Sequence, residues 1–148
     1  MIASDYSSKI FGTLSTQDML GQTPDQVLVE LGIRYLQTVT SPIAVGLFRL
    51  LIAESISMPH IAKRFWEIGP NRDRTLSSYF AHQARRGILQ LTDPERAAQQ
   101  FWGMLRGDYH IQGALCLCGP PTIEEVFVKS AISRFLDGCR AGTHSDGP

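Results

Sequence analysis

What most restricts the fold of this chain is the place of its prolines. Thr23-Pro24-Asp25-Gln26, Ser41-Pro42 and Asp93-Pro94-Glu95 each set a small hydroxyl or carboxylate residue directly before Pro. Pro suits the first helical position, because the N–H it lacks would find no partner there. A preceding Ser, Thr or Asp accepts a hydrogen bond from an amide of the first turn. Gln26, three residues after Thr23, completes a capping box, and Thr122-Ile123-Glu124-Glu125 repeats that pattern. Thr92 or Asp93 serves as the cap before Pro94. No stretch alternates apolar and polar residues as a half-buried strand would, and no internal repeat is present. The chain therefore reads as all-α, with about six helices.

The first helix places Val27, Leu28, Leu31, Tyr35 and Val39 on one stripe. Ile43 to Ser57 carries Val45, Leu47, Phe48, Leu50, Leu51 and Ile52 in all directions, which predicts a central helix surrounded by others. Pro59 ends it and opens a short helix through Ile61, Phe65 and Trp66 that stops before Gly69-Pro70. The next carries Leu76, Tyr79, Phe80 and Gln83 and stops at Gly87, with Arg85 and Arg86 facing the negative helix end. From Pro94 a stripe runs through Ala98, Phe101, Leu105, Asp108 or Tyr109, Gln112 and Leu115. Its phase holds past Gly103, Gly107 and Gly113, so one long helix is expected up to Gly119-Pro120-Pro121. Each interior glycine costs such a helix about 1 kcal/mol against Ala. The last helix spreads Ile123, Val126, Phe127, Val128, Ala131, Ile132, Phe135 and Leu136 over more than one face. That is more than one-sided packing needs. Residues 142–148 read as a loose polar tail, 23–141 as the folded domain and 1–22 as a divergent leading segment.

Composition narrows the function. Hydrophobic residues at 43% and charged residues at 19% mark a globular chain. Fourteen Lys and Arg balance fourteen Asp and Glu, and the basic residues are dispersed in small groups such as Lys63-Arg64 and Arg85-Arg86. Direct DNA binding by this chain alone is not expected, because phosphate contacts call for a basic excess. Met1 to Gln22 has no signal-peptide pattern, and Arg49 breaks the longest apolar-rich segment, Pro42 to Ala53. No membrane span is expected, and the cytoplasm is the default compartment. Neither a Gly-rich phosphate loop nor an HExxH or GxSxG pattern is present, and His60, His82, His110 and His144 are scattered. Neither enzyme activity nor a cofactor is expected. Cys116, Cys118 and Cys139 admit three readings: a metal set with His110, a redox pair, or buried inert thiols. The last is the expected case, so no metal is assigned.

Several stretches then resemble a known family. They are Phe48-Arg49-Leu50-Leu51-Ile52-Ala53-Glu54 followed by Pro59, Phe65-Trp66-Glu67-Ile68-Gly69-Pro70, and Ala84-Arg85-Arg86-Gly87. Asp93-Pro94-Glu95-Arg96-Ala97-Ala98-Gln99-Gln100-Phe101, Leu105-Arg106-Gly107-Asp108 and Phe135-Leu136-Asp137-Gly138 complete the set. From Ser41 to Arg140 the chain resembles the C-terminal domain of TetR-family regulators, in the AefR-like branch. Members begin with a three-helix DNA-binding head. The 22 residues before Thr23 are too short for one, and Asp5 to Leu20 is expected as a remnant of the helix joining head to body, with only a weak match in its residues.

The resemblance implies a ligand pocket among the central helices and a two-fold interface made by the last two. Phe48, Arg49, Phe65, Tyr79, Gln83, Phe101 and Gln112 are the pocket candidates, suited to a small apolar ligand with a few polar contacts. Aromatic stripes at helical spacing serve equally as plain core, and that reading stays open beside the pocket. Trp102, Gly103, Tyr109, Gly113, Val128, Ile132 and Phe135 are the candidates for a homodimer interface. The glycines have two uses here, close packing between subunits or close packing within one. The expected function is ligand sensing and dimerisation for a transcriptional regulator. The alternative is a freestanding helical small-molecule carrier or interaction module.

Overall fold

The computed structural model describes residues 8–12, 16–67, 69–115 and 121–140, with backbone alone at 16 and 69–72. Among the described residues the helices are α1 (Thr16–Leu20), α2 (Pro24–Val39), α3 (Pro42–Glu54), α4 (Pro59–Trp66), α5 (Gly69–Arg85), α6 (Pro94–Leu115) and α7 (Glu125–Cys139). Residues 8–11 add one helical turn, and there is no strand among the described residues. Cys116, Cys118 and the Gly119-Pro120 stop lie outside the described residues, as does the tail from 141.

The proline-marked starts form as their chemistry requires. Thr23 Oγ1 accepts from the Gln26 amide at 3.4 Å while Gln26 Oε1 accepts from the Thr23 amide at 3.2 Å, a complete capping box. Ser41 Oγ accepts from the Ala44 amide at 3.3 Å. Asp93, not Thr92, caps α6: its Oδ1 takes the Arg96 amide at 3.0 Å and its Oδ2 the Arg96 Nε at 3.1 Å. Gly87 ends α5 at a φ of 70°, the left-handed conformation that lets Ile88 N–H return to the Gln83 carbonyl at 3.0 Å.

The central helix is α2. It buries Val27, Leu28, Leu31, Tyr35, Leu36 and Val39, with Gly32 among them. A Cβ on Gly32 would stand 3.1 Å from both Leu105 of α6 and Val128 of α7. Glycine here lets the two helices close directly on α2. α5 packs along α6 and contributes buried Leu76, Tyr79 and Phe80. The leading segment is part of the core, supplying buried Ile10, Phe11 and Met19.

Three expectations about the helices are corrected. α3 is peripheral: only Ala44 is buried, while Ile43 and Leu50 are 81% and 57% exposed. Ile43, Gly46, Leu50 and Ala53 recur at three- and four-residue spacing on its outward side. Uniform hydrophobicity does not choose an inner face, and the slot between α6 and α7 goes to α2, whose Gly32 admits close approach.

α6 is not continuous. Gly107 takes φ 34° and ψ −134°, a conformation that side chains with a Cβ rarely adopt. The half before it stays in the core, and the half after it turns to α3. There a Cβ on Gly113 would lie 3.0 Å from Val45, and the Phe48 and His110 rings meet at 3.9 Å. The box expected at Thr122 is likewise absent. α7 begins at Glu125, Glu124 makes no side-chain cap, and the Glu124 amide donates instead to Tyr109 Oη at 3.2 Å.

Candidate functional site

The interior of the four-helix body is a chain of aromatic rings. Phe11 meets Trp102 at 6.3 Å between ring centres, Trp102 meets Phe101 at 5.0 Å, and Phe101 meets Phe80 at 6.2 Å. Tyr79 lies 6.1 Å beyond Phe80, and Phe135 of α7 closes on Phe80 and Phe101 at 5.6 and 5.4 Å. Edge-to-face and offset pairs of this kind are favourable and hold their partners in defined orientations.

Two polar side chains sit inside this apolar cluster. Tyr79 and Gln83 are buried one helical turn apart on α5. Gln83 lies beside the Tyr79 hydroxyl, yet neither Tyr79 Oη nor Gln83 Oε1 completes a well-formed hydrogen bond. Burial pushes the Tyr79 phenol up to about 12, against smaller opposing effects of Gln83 and Arg86; Asp25 adds to the rise. The hydroxyl therefore stays neutral, able to donate or to accept.

The pocket candidates divide into two sets. Tyr79, Gln83 and Phe101 converge in the aromatic core. Phe48 is half-buried on α3 against His110, whose pKa is lowered by burial and then by Arg106. Phe65 is half-buried on α4, and Arg49 and Gln112 are exposed. α3 lies outside the body, so the structure does not bring these four to Tyr79 and Gln83.

Four of the interface candidates turn inward. Trp102, Val128 and Ile132 are buried in the core of their own chain, and Gly113 is buried under Val45. Tyr109 and Phe135 are half-buried, and Gly103 is exposed. The two uses of glycine now separate by position. Gly113 permits packing within the chain, and Gly107 permits the break in α6. Gly103 and Gly138 are helical, with nothing within 4 Å of the place a Cβ would take. Nothing inside the described chain requires either.

Sequence reasoning did not find Gly138, or Val126 at 79% exposure beside half-covered Phe127, as surface features. It also missed an open groove of about 610 Å³ between α2 and α7, floored by Val29, Ile33 and Ile132. Its charged rim is paired: Asp25 with Arg140 at 2.6 Å, Glu30 with Arg34 at 2.5 Å and Lys129 with Glu125 at 2.6 Å. Only the adjacency of α2 and α7 reveals it. Among the described residues no three His, Cys, Asp or Glu gather as a metal set. Burial pushes the Cys139 thiol up, away from a reactive thiolate.

Residues 26–138 match the family model of the AefR-like transcriptional repressor C-terminal domain. This chain belongs to that family. Its fold is also that of a Mesorhizobium loti protein assigned as a TetR-family transcriptional regulator. That crystal structure superposes with a TM-score of 0.81 at 21% identity, over 95% of this chain and 70% of the other. No curated protein matches the sequence. The all-α body described above is thus a TetR-type C-terminal domain, and its role is regulatory. No single described helix of this TetR-type domain is long and apolar enough to cross a membrane.

Proposed function

We propose that this TetR-type domain senses a small, largely apolar ligand and forms a homodimer, in the service of transcriptional regulation in the cytoplasm. The observation that carries the sensing reading is the pair of unsatisfied polar atoms, Tyr79 Oη and Gln83 Oε1, inside an aromatic core. A buried polar atom left without a partner costs about 1–3 kcal/mol, and native chains keep few of them. Oε1 needs a donor, and the neutral phenol can donate or accept. A ring-bearing ligand with one hydroxyl, donating to Oε1 and accepting from the phenol, would satisfy both. In a complete regulator, the helix arrangement such a ligand selects would set the spacing of two DNA-reading heads, whose half-sites lie about 34 Å apart. The balanced charge of this chain supports a division of labour in which it does not itself hold DNA.

Matched pairs of aromatic ligands with and without one hydroxyl, ranked by thermal shift, test this reading. The hydroxylated member should bind better to the native chain, and Tyr79→Phe with Gln83→Leu should abolish the preference. An unchanged preference in the double variant would show that these atoms do not meet ligand.

For dimerisation the support is Gly103 and Gly138. Each carries the helix cost of glycine, and the chain itself does not call for either. Small residues on outward helix faces let a second copy approach closely. Light scattering over a concentration series should give twice the chain mass. A monomer throughout would favour the carrier or interaction-module reading.

A further inference from the structure

The turn at residues 8–11 ends at Gly12, whose φ of 58° is the left-handed conformation that stops a helix. That turn buries Ile10 completely and leaves Phe11 6% exposed. The Phe11 ring stands edge-on to Trp102, whose other ring neighbours are Tyr35 at 4.6 Å and Phe101 at 5.0 Å. One helical turn has no stability of its own, since helices below about 12 residues are marginal in water. It is therefore held by its contacts. Two are the side chains just named, and a third is Arg34 of α2. Arg34 Nη1 donates to the Phe11 carbonyl at 3.5 Å, the far end of hydrogen-bond range, while its Nη2 holds Glu30 at 2.5 Å. The guanidinium thus faces the carbonyl end of the turn, where a cation is favourable. Residues 8–12 also lie outside the stretch 26–138 that matches the family, although they cover one end of the aromatic core.

We propose that residues 8–12 are a displaceable strap, with Phe11 acting as a tethered ligand in a site for a small uncharged aromatic molecule against Trp102 and Tyr35, and with Arg34 as its latch. A free ring entering in place of Phe11 restores the same apolar burial, and the released turn regains its conformational freedom. Apparent affinity is then reduced by the fraction of molecules whose strap is closed. The proposal rests on the reading of the aromatic core as a ligand site and adds the segment that must leave for a ligand to enter.

Toluene is the natural probe, being the phenylalanine side chain without its backbone. The full chain carrying Trp66→Phe leaves Trp102 as the single indole, because Trp66 is the other tryptophan and is 81% exposed. Toluene should change Trp102 fluorescence saturably. It should also speed amide exchange in residues 8–12 by about tenfold while slowing exchange in α2 and α6. Phe11→Ala should bind toluene about tenfold more tightly, and Arg34→Gln about threefold more tightly. Arg34→Gln keeps the core side chain, so it decides the matter if Phe11→Ala does not fold. Toluene bound with residues 8–12 unchanged or slowed would overturn the strap and leave the core as a ligand site. Binding to Phe11→Ala alone would make Phe11 a fixed core residue and overturn the strap as well. No binding by any variant would overturn the strap, while the matched-ligand test at Tyr79 and Gln83 decides the reading beneath it separately.

Discussion

Gly103→Ala should move folding and association in opposite directions. Gly103 lies in the interior of α6, is exposed, and has no atom within 4 Å of the position a Cβ would take. Within one chain the new methyl meets nothing, so the substitution gains only the helix-propensity difference, about 1 kcal/mol. For a domain of this length that is a rise of about 2–4 °C in Tm. In a dimer whose helices meet at Gly103, two-fold symmetry places a methyl on each side of the contact. Overpacking of a close contact costs about 1–3 kcal/mol. Dimer affinity should therefore fall by roughly five- to a hundredfold. The assay pairs a light-scattering dilution series with thermal unfolding at the lowest concentration, where the monomer dominates. Gly107→Ala is the useful contrast, because φ 34° strains any residue with a Cβ and stability should fall by about 1–2 kcal/mol. A more stable Gly103→Ala chain with undiminished association at every dilution would refute an interface at Gly103.

Three further outcomes follow from burial and charge. Phe101→Ala, at the centre of three ring contacts, should cost about 3–5 kcal/mol in urea unfolding, whereas Ile43→Ala on the outward side of α3 should stay within about 0.5 kcal/mol. Equal losses would mean that α3 is packed inward. The Asp93 pKa is lowered first by the Arg96 amide, so the cap contributes stability above the unfolded carboxylate pKa and loses it as pH falls through the folded one. Acid titrations of native chain and Asp93→Asn should diverge in that window, and coincident curves would remove the cap from the stability balance. Tyr79 is raised to about 12 from an unfolded value near 10, so its contribution is complete below pH 10 and declines between 10 and 12. The ultraviolet phenolate signal lost in Tyr79→Phe should therefore appear only above about pH 11. Appearance of that signal nearer pH 10 would place the hydroxyl in water.

Local chemistry made most of the fold legible. Caps and prolines act within four residues, so the starts of α2, α3, α4 and α6 could be read to within a residue from Thr23, Ser41, Pro59 and Asp93. Burial was legible where the apolar stripe was narrow, as along Val27, Leu31 and Tyr35 of α2. It was not legible in α3, whose apolar residues surround the helix. A helix of that kind can occupy a centre or cover a flank, and the deciding residue was on its neighbour, Gly32. Gly107 shows the same limit in α6. Stripe phase survives a break when the two halves serve different partners, here the core before the glycine and α3 after it.

The site was legible in part for the same reason. Tyr79, Gln83 and Phe101 could be placed together in the core because each lies on the inward stripe of a helix whose face was clear. Phe48, Phe65, Arg49 and Gln112 were grouped with them because the resemblance implies a pocket among central helices, and the group divides once α3 lies on the flank. Apolar character placed Trp102, Val128 and Ile132 at an interface, although a buried core and a buried interface demand the same side chains. What distinguishes the two is cost. A core repays its large residues with contacts in the same chain, whereas Gly103 and Gly138 carry a helix penalty that nothing in the described chain offsets. Tyr79 Oη and Gln83 Oε1 carry the equivalent penalty in unmade hydrogen bonds. In this TetR-type domain, the places where the isolated chain is less stable than its sequence could make it are those to which the proposed ligand and partner are assigned. Substitution at those positions should therefore stabilise the chain while weakening what it binds.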